Sequence, residues 1–339
     1  MLTPAFWWKR KGIAALLLAP IGLIYGAVTA RRMHRPGGVE PPLPLVCVGN
    51  FVAGGAGKTP TAIALAHSAR SVGLDPCFLT RGHGGSLKGP ILVNVDRHTA
   101  GEVGDEALLL ARVAPTVVAR RRADAFALLR ATGTDLCIMD DGFQNPSVKK
   151  TFSFVVVDGA VGVGNGLPLP AGPLRAPLRR QMLLADAIII YGDSKQGQRV
   201  VRTAARAGKP VFRAELVANA PPAAPHRRLY AFAGIGRPEK FFRSLEQEGY
   251  RLAARRGFAD HYPYRFADLC HLLDEADMLD AVPVTTEKDA VRLPRGIAGS
   301  NWSRDRVAVF GVHTHFAEER AVGSLLLDIR RRWMAKHFS

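Results

Sequence analysis

The segment Val48-Gly49-Asn50-Phe51-Val52-Ala53-Gly54-Gly55-Ala56-Gly57-Lys58-Thr59 constrains the fold more than any other part of this chain. It leaves an apolar run, Leu45–Val48, that reads as a buried strand. It enters Pro60–Ser71, which reads as a helix with apolar residues at Ile63, Leu65, Ala66 and Ala69. A glycine-rich turn between a strand and a helix is the setting of a phosphate-binding P-loop. Glycines at 54, 55 and 57 let the backbone take positive φ and close its N–H groups around phosphate oxygens. Lys58 would reach the β- and γ-phosphates, Thr59 would ligate Mg²⁺, and the helix N-terminus adds a favourable dipole. The strict pattern G-x-x-x-x-G-K-[ST] wants glycine at position 52, where this chain has Val52. The loop is a G-G-x-G-K-T variant, and Val52, Ala53, Gly54, Gly55, Ala56, Gly57, Lys58 and Thr59 are expected to line the nucleotide.

Around this loop the chain alternates strand-like and helix-like segments, the signature of an α/β fold with a mainly parallel sheet. Pro76–Leu79, Thr116–Ala119, Leu136–Met139, Phe154–Val157 and Ala187–Tyr191 read as strands. Val103–Arg112 and Ala123–Ala131 read as helices. The composition shifts to ANAPPAAPHRR at Ala218–Arg228, a linker signal. Beyond it, Leu229–Ala233, Pro238–Glu248, Phe266–Ala276, Val282–Thr285 and Val307–Val312 repeat the alternation on a smaller scale. The expected organisation is a P-loop NTPase-like core over residues 36–218 and a linker at 219–228. A smaller α/β domain follows over 229–315, then an amphipathic C-terminal helix within 316–339 that the sequence assigns to neither domain.

Leu136-Cys137-Ile138-Met139-Asp140-Asp141 is an apolar strand ending in two carboxylates. With a P-loop in the same chain this is the Walker-B arrangement, in which a strand-end acid meets the metal of a bound nucleotide, so Asp140 and Asp141 join Thr59 as metal ligands. Other residues are less decided by spacing alone. Asp105 in Val103-Gly104-Asp105-Glu106 reads equally as an ordinary helix cap. His261 reads more readily as a surface or packed histidine. Arg175, in the rigid Pro173-Leu174-Arg175-Ala176-Pro177 loop, reads as a phosphate clamp or as a solvated charge. Arg81, in the glycine-rich turn after Pro76–Leu79, reads the same two ways. The four cysteines form no CxxC pair, so no zinc pattern or disulfide framework is readable.

The charge balance is extreme: 46 Lys+Arg against 29 Asp+Glu gives +17, which calls for a polyanionic partner. Residues 1–35 hold six of the basic residues and no acid. Within them an uncharged run from Gly12 to Ala30 lies between Lys9-Arg10-Lys11 and Arg31-Arg32, with Phe6, Trp7 and Trp8 just before it. Its length is close to the ~20 residues that span a bilayer, and aromatic and basic flanks are interfacial anchors. A cleaved leader and a buried core helix fit less well, and an N-terminal membrane-associated helix is expected. Spanning and surface-lying forms are not separated by the sequence. The basic runs Arg120–Arg122 and Arg330–Arg332 lack interleaved aromatics, so no nucleic-acid partner is expected.

Together these pieces resemble the tetraacyldisaccharide 4′-kinase (lipid A 4′-kinase) family. The resemblance rests on the basic-flanked apolar N-terminus, VGNFVAGGAGKTPT, TRGHGG, VGDE, MDDGFQN, LPAGPLRAP, FAGIGRPEKFF, FADHYPY and TTEKDAVRL, in that order. A residue other than glycine at 52 is itself a trait of that family. The resemblance implies ATP- and Mg²⁺-dependent phosphorylation of the 4′-hydroxyl of a tetraacyldisaccharide 1-phosphate, in lipid A biosynthesis at the cytoplasmic face of the inner membrane. Its partners would be that anionic glycolipid and the lipid surface. It further implies that Asp105, paired with His261, is the base for the sugar hydroxyl and that Arg175 contacts phosphate. This chain departs from the family in having Thr80-Arg81-Gly82-His83 for Ser-Arg-Gly-Tyr, Ala107 for proline after VGDE, and Asn145 for histidine after DDGFQ. The principal alternative is a P-loop NTPase of the GGxGKT type with a regulatory or delivery role and no lipid acceptor. A non-catalytic membrane anchor would leave the P-loop and the strand-end acids unexplained.

Overall fold

The computed structural model of the protein describes residues 4–55, 57–219, 227–236, 238–294 and 302–338. Ala56 of the glycine loop and residues 220–226 of the expected linker lie outside the described residues. The strands are β1 (Leu45–Asn50), β2 (Pro76–Thr80), β3 (Ile91–Leu92), β4 (Thr116–Val118), β5 (Leu136–Asp140), β6 (Phe152–Asp158), β7 (Ala187–Tyr191), β8 (Val211–Asn219), β9 (Arg228–Ala233), β10 (Leu252–Gly257), β11 (Ala281–Thr286) and β12 (Ala308–Phe316). They form one sheet in the order β10-β9-β11-β12-β8-β7-β6-β1-β5-β2-β4-β3. All neighbours are parallel except β12 with β8 and β3 with β4.

Every residue of β1, β2, β5 and β7 is buried, as continuous apolar runs in a sheet covered on both faces require. The two-residue period of β1 sorts its side chains. Leu45 and Cys47 pack with Leu129, Met182 and Val200 on one face. Val46 and Val48 pack with Leu65, Ala69, Leu326 and Ile329 on the other. The C-terminal helix Glu319–Phe338 thus lies on the same face as the helix Lys58–Ser71 that follows the glycine loop, so close that a Cβ on Gly323 would be 2.9 Å from Val72 Cγ1. The β9 side is built likewise: Tyr230 and Phe232 pack on Leu269, Leu272 and Leu273. Leu229, Ala231 and Ala233 pack on Phe241, Phe242 and Leu245.

The two parts of the sheet meet at β12, which serves two neighbours in series. Ala308–Phe310 pairs in parallel with β11, and Gly311–Phe316 pairs antiparallel with β8. Gly311 stands at the change; a Cβ there would be 2.8 Å from Glu287 Oε1 and 3.0 Å from Asn219 Nδ2.

The N-terminal helix Ile13–Met33 is long and apolar enough to cross a membrane. One face is docked, with Ala15, Gly22, Gly26, Ala30 and Met33 buried, and Ile13, Leu17, Leu23, Ile24 and Val28 are exposed. The docked face rests on the loop after β6. A Cβ on Gly26 would lie 2.8 Å from Pro168 Cγ, one on Gly22 would lie 2.9 Å from the Pro168 carbonyl, and Trp7 Nε1 donates to the Pro170 carbonyl at 2.9 Å.

Candidate active site

The glycine loop leaves β1 at Asn50, whose buried Nδ2 donates to the Gly54 carbonyl at 2.9 Å. Gly54 (φ 109°) and Gly57 (φ 84°) hold left-handed conformations that side chains resist. Val52 needs no such freedom. It bridges Leu174 in antiparallel fashion, its carbonyl accepts from Arg175 Nε at 3.1 Å, and the Ala53 N–H donates to the Pro173 carbonyl at 2.7 Å. The first position of the loop is therefore strand-paired to the 173–175 segment, which explains why a β-branched residue fits where the strict motif has glycine. The Ala53 N–H is committed to that pairing.

Lys58 opens the following helix. Its Nζ lies 3.4 Å from the Gly54 carbonyl and 3.8 Å from Asp141 Oδ2. Burial pulls its pKa down against the attraction of Asp141. The Thr59 hydroxyl donates to Asp140 Oδ2 at 2.9 Å. Asp140 Oδ1 is buried with no hydrogen-bond partner among the described residues, and burial pushes the Asp140 carboxyl up to about 6. An orphaned carboxylate oxygen beside a hydroxyl at the mouth of a phosphate loop fits a hard divalent cation. Asp141 holds a left-handed backbone conformation at φ 51°. Burial raises its pKa, but Lys58 and Arg175 outweigh burial and hold it below the usual carboxylate range.

Arg175 ties three segments together. Nε bonds the Val52 carbonyl, and Nη1 bonds both Asp141 Oδ1 and Gln144 Oε1 at 3.1 Å. Gln144 in turn donates to the Asn50 carbonyl at 2.7 Å.

Asp105 sits where a helix is broken and restarted. The sequence predicts one helix over Val103–Arg112. The structure has Ala100–Val103 and Asp105–Ala111, divided at Gly104 (φ 91°), where a Cβ would be 2.4 Å from the His83 carbonyl. This break aims Asp105 across the cleft. Its Oδ2 meets His261 Nδ1 at 3.0 Å, across 156 residues of sequence, and its Oδ1 accepts the Glu106 N–H at 3.2 Å. Asp105 is buried and His261 is half-buried. Burial raises the Asp105 carboxyl, but the His261 bond and nearby cations overcome it and hold it well below the carboxylate range. The same bond raises the His261 pKa. His261 itself has φ 56°, and its N–H donates to the Gly234 carbonyl at 3.0 Å.

Three residues here were not legible as functional in the sequence. Lys288 bonds Glu106 Oε1 at 2.7 Å, and Arg292 Nε lies 3.7 Å from Asp105 Oδ2. His83 sets its ring 5.9 Å from that of His261. The basic pair spaced four apart in TTEKDAVRL was the available signal. Asp105, Glu106 and His261 have ligand atoms within 4.8 Å of one another, and the two carboxylates already face the cations Lys288 and Arg292. Asn145 turns into its own loop, where Oδ1 accepts the Ser147 N–H at 2.8 Å, and Ala107 is buried beside Val103 and Val118. Lys58, Thr59, Asp105, Asp140, Asp141, Arg175 and His261 all line one cleft of about 2270 Å³, several times the size of a pocket for one small ligand.

The family model for tetraacyldisaccharide-1-P 4′-kinase matches residues 14–330. A tetraacyldisaccharide 4′-kinase of Methylobacterium sp. (strain 4-46) is 52% identical over 301 residues, covering 88% of this chain and 90% of that protein. One from Xanthobacter autotrophicus is 48% identical over 342 residues, covering 99% of each. The "apo" form of LpxK from Aquifex aeolicus, solved in complex with ATP, shares the fold at a TM-score of 0.74 and 23% identity, covering 94% of this chain and 99% of that one. With a family model running along nearly its whole length and relatives about half identical over the same span, this chain belongs to the tetraacyldisaccharide 4′-kinase family.

Proposed function

We propose that the protein transfers the γ-phosphoryl group of ATP to the 4′-hydroxyl of a tetraacyldisaccharide 1-phosphate, a step of lipid A biosynthesis. Family membership supports the activity. The observation that carries the assignment of residues is the Asp105–His261 pair, which stands in the same cleft as the glycine loop.

Phosphoryl transfer asks mainly for charge neutralisation and in-line positioning. Gly54 to Thr59 cradle the phosphates, and Lys58 neutralises the β/γ oxygens. Thr59 and Asp140 would hold Mg²⁺, with Asp141 beside them, and the ion would supply neutralisation of phosphate charge. Arg175, fixed to the loop entry and to Asp141, contacts the transferring phosphate. Asp105 accepts the proton of the 4′-hydroxyl, and His261 orients its carboxylate. A weak base suffices, because the transition state is largely dissociative. Residues 1–35 attach the protein to the cytoplasmic face of the inner membrane, where the exposed Ile13, Leu17, Ile24 and Val28 meet lipid and the flanking basic residues meet anionic headgroups. The glycolipid then reaches the cleft from that side.

The experiment is incubation of the protein with γ-labelled ATP and the disaccharide lipid, followed by thin-layer separation. Label moves to the lipid with the wild type and does so at most weakly with Lys58→Ala. Label released only as inorganic phosphate, at a rate indifferent to lipid, would replace this reading with that of a regulatory NTPase.

A further inference from the structure

Arg292 has more demands on it than a surface arginine ever meets. Its side chain is 8% exposed. Nη1 and Nη2 both donate to the Gly234 carbonyl at 3.1 Å, Nη1 to the Tyr262 carbonyl at 3.3 Å, and Nε to the Lys288 carbonyl at 3.0 Å. Nη2 also lies 3.1 Å from Asp289 Oδ1, Nε lies 3.7 Å from Asp105 Oδ2, and the guanidinium carbon is 5.9 Å from the Tyr264 ring centre.

Asp289, fully buried, completes the arrangement. Its Oδ1 accepts the Gly234 N–H at 2.8 Å and the Tyr264 hydroxyl at 2.6 Å, and its Oδ2 accepts the Thr286 hydroxyl at 2.6 Å. The ion pair therefore grips both polar groups of one residue, Gly234, the N–H through Asp289 and the carbonyl through Arg292. That same carbonyl takes the His261 N–H, and His261 holds the left-handed backbone conformation that a non-glycine residue keeps only when its surroundings over-determine it. A Cβ on Gly234 would sit 3.1 Å from the Ala259 carbonyl and 3.2 Å from Asp289 Oδ1, so the grip is close.

We propose that Arg292, clamped by Asp289, is the positioning residue of this site: it sets the His261 turn from beneath and brings it to register with Asp105. It touches Asp105 from the β11 side while Asp105 belongs to the β4 side, so one guanidinium spans the cleft floor. Its fork matters as much as its charge. Three carbonyls, the Asp289 carboxylate and Asp105 are reached by five donors in one plane, which a lysine ammonium cannot reproduce. The catalytic part of this inference rests on the kinase reading above.

The test pairs Arg292→Lys with Arg292→Ala in the full-length protein. Arg292→Lys keeps the charge and loses the fork. Its turnover number for lipid phosphorylation is expected to fall at least tenfold with the KM for ATP within twofold of wild type. The His261 imidazole, followed by NMR without either substrate, is expected to titrate at lower pH as its contact with Asp105 loosens. His261 is faced by Asp105 and Glu106, by Asp260 on its own turn and by His83, with Lys288 behind Glu106; all stay in place in this variant. Arg292→Ala is expected to regain activity in millimolar guanidinium, which a purely structural loss would not allow. Unchanged turnover together with an unchanged His261 titration in Arg292→Lys would overturn the inference, as would a defect confined to the KM for ATP. If the wild type labels no lipid, the kinase reading fails, and the His261 titration still decides whether Arg292 sets the turn.

Discussion

Asp140 is the residue at which function and stability oppose each other most directly. Its carboxylate is buried, one oxygen has a hydroxyl donor and the other has none among the described residues, and burial raises its pKa from 3.8 to about 6. A shift of that size corresponds to about 3 kcal/mol of destabilisation at neutral pH, at roughly 1.4 kcal/mol per unit. The sign follows from proton linkage. Between pH 3.8 and about 6 the folded state binds more protons than the unfolded one, so stability falls as pH rises through that window and stays low above it. Asp140→Asn removes the buried charge and keeps an acceptor for Thr59. At pH 7.5 it should melt higher than wild type by about 4 °C, from an unfolding entropy of about 2 cal/mol/K per residue. The gap should close as the pH is lowered toward 4. Millimolar Mg²⁺ should raise the melting temperature of the wild type by mass action and leave Asp140→Asn unmoved. Thermal melts across pH, with and without Mg²⁺, read all three effects. An Asp140→Asn protein no more stable than wild type at pH 7.5, or a gap independent of pH, would refute the reasoning.

Gly26→Leu should force the N-terminal helix off the loop that carries Arg175, since even a Cβ would be 2.8 Å from Pro168 Cγ and 3.2 Å from Pro177 Cδ. Overpacking of about 1–3 kcal/mol predicts a roughly tenfold or greater loss of lipid phosphorylation, with vesicle flotation retained because the lipid-facing side chains are untouched. Tyr191→Phe removes a hydroxyl bonded to Thr61 and to Thr314, each at 2.6 Å. It should cost about 1–2 kcal/mol in a denaturant melt while leaving ATP affinity within twofold, because the ring still backs Gly57.

The sheet was readable wherever a strand is buried on both faces. The runs Leu45–Val48 of β1 and Leu136–Met139 of β5, and the whole of β7, are apolar, and their burial is complete. β8 was not, because it carries Arg213 and Glu215 and is largely exposed; nothing in Val211–Asn219 announces a strand that joins two parts of a sheet. The helix break at Gly104 was hidden in the same way, since its cause is the His83 carbonyl from a distant loop. In the site, the P-loop and the strand-end acids are local patterns and were legible as chemistry. The pairing of Asp105 with His261 joins residues 156 apart and came from resemblance alone. Arg292 remained silent because its meaning lies in Gly234 and Asp105, which its own neighbourhood does not contain.

The strand that serves β11 with its first residues and β8 with its last has a mechanical consequence. A chain that joined its two parts by a loose tether would let them swing in any direction. Here the connection is a ladder: Gly311–Phe316 is hydrogen-bonded along its length to Ala214–Asn219. Sliding or separating the parts would break that row of bonds, whereas rotating one strand against the other breaks none. Adjacent strands ordinarily differ in twist by roughly 10–35°, so a change of about 10° at this crossing is inexpensive. The Asp105–His261 and Glu106–Lys288 contacts join residues of the two parts. Twist at this crossing is the coordinate along which the two parts of the sheet can turn without losing that row of bonds.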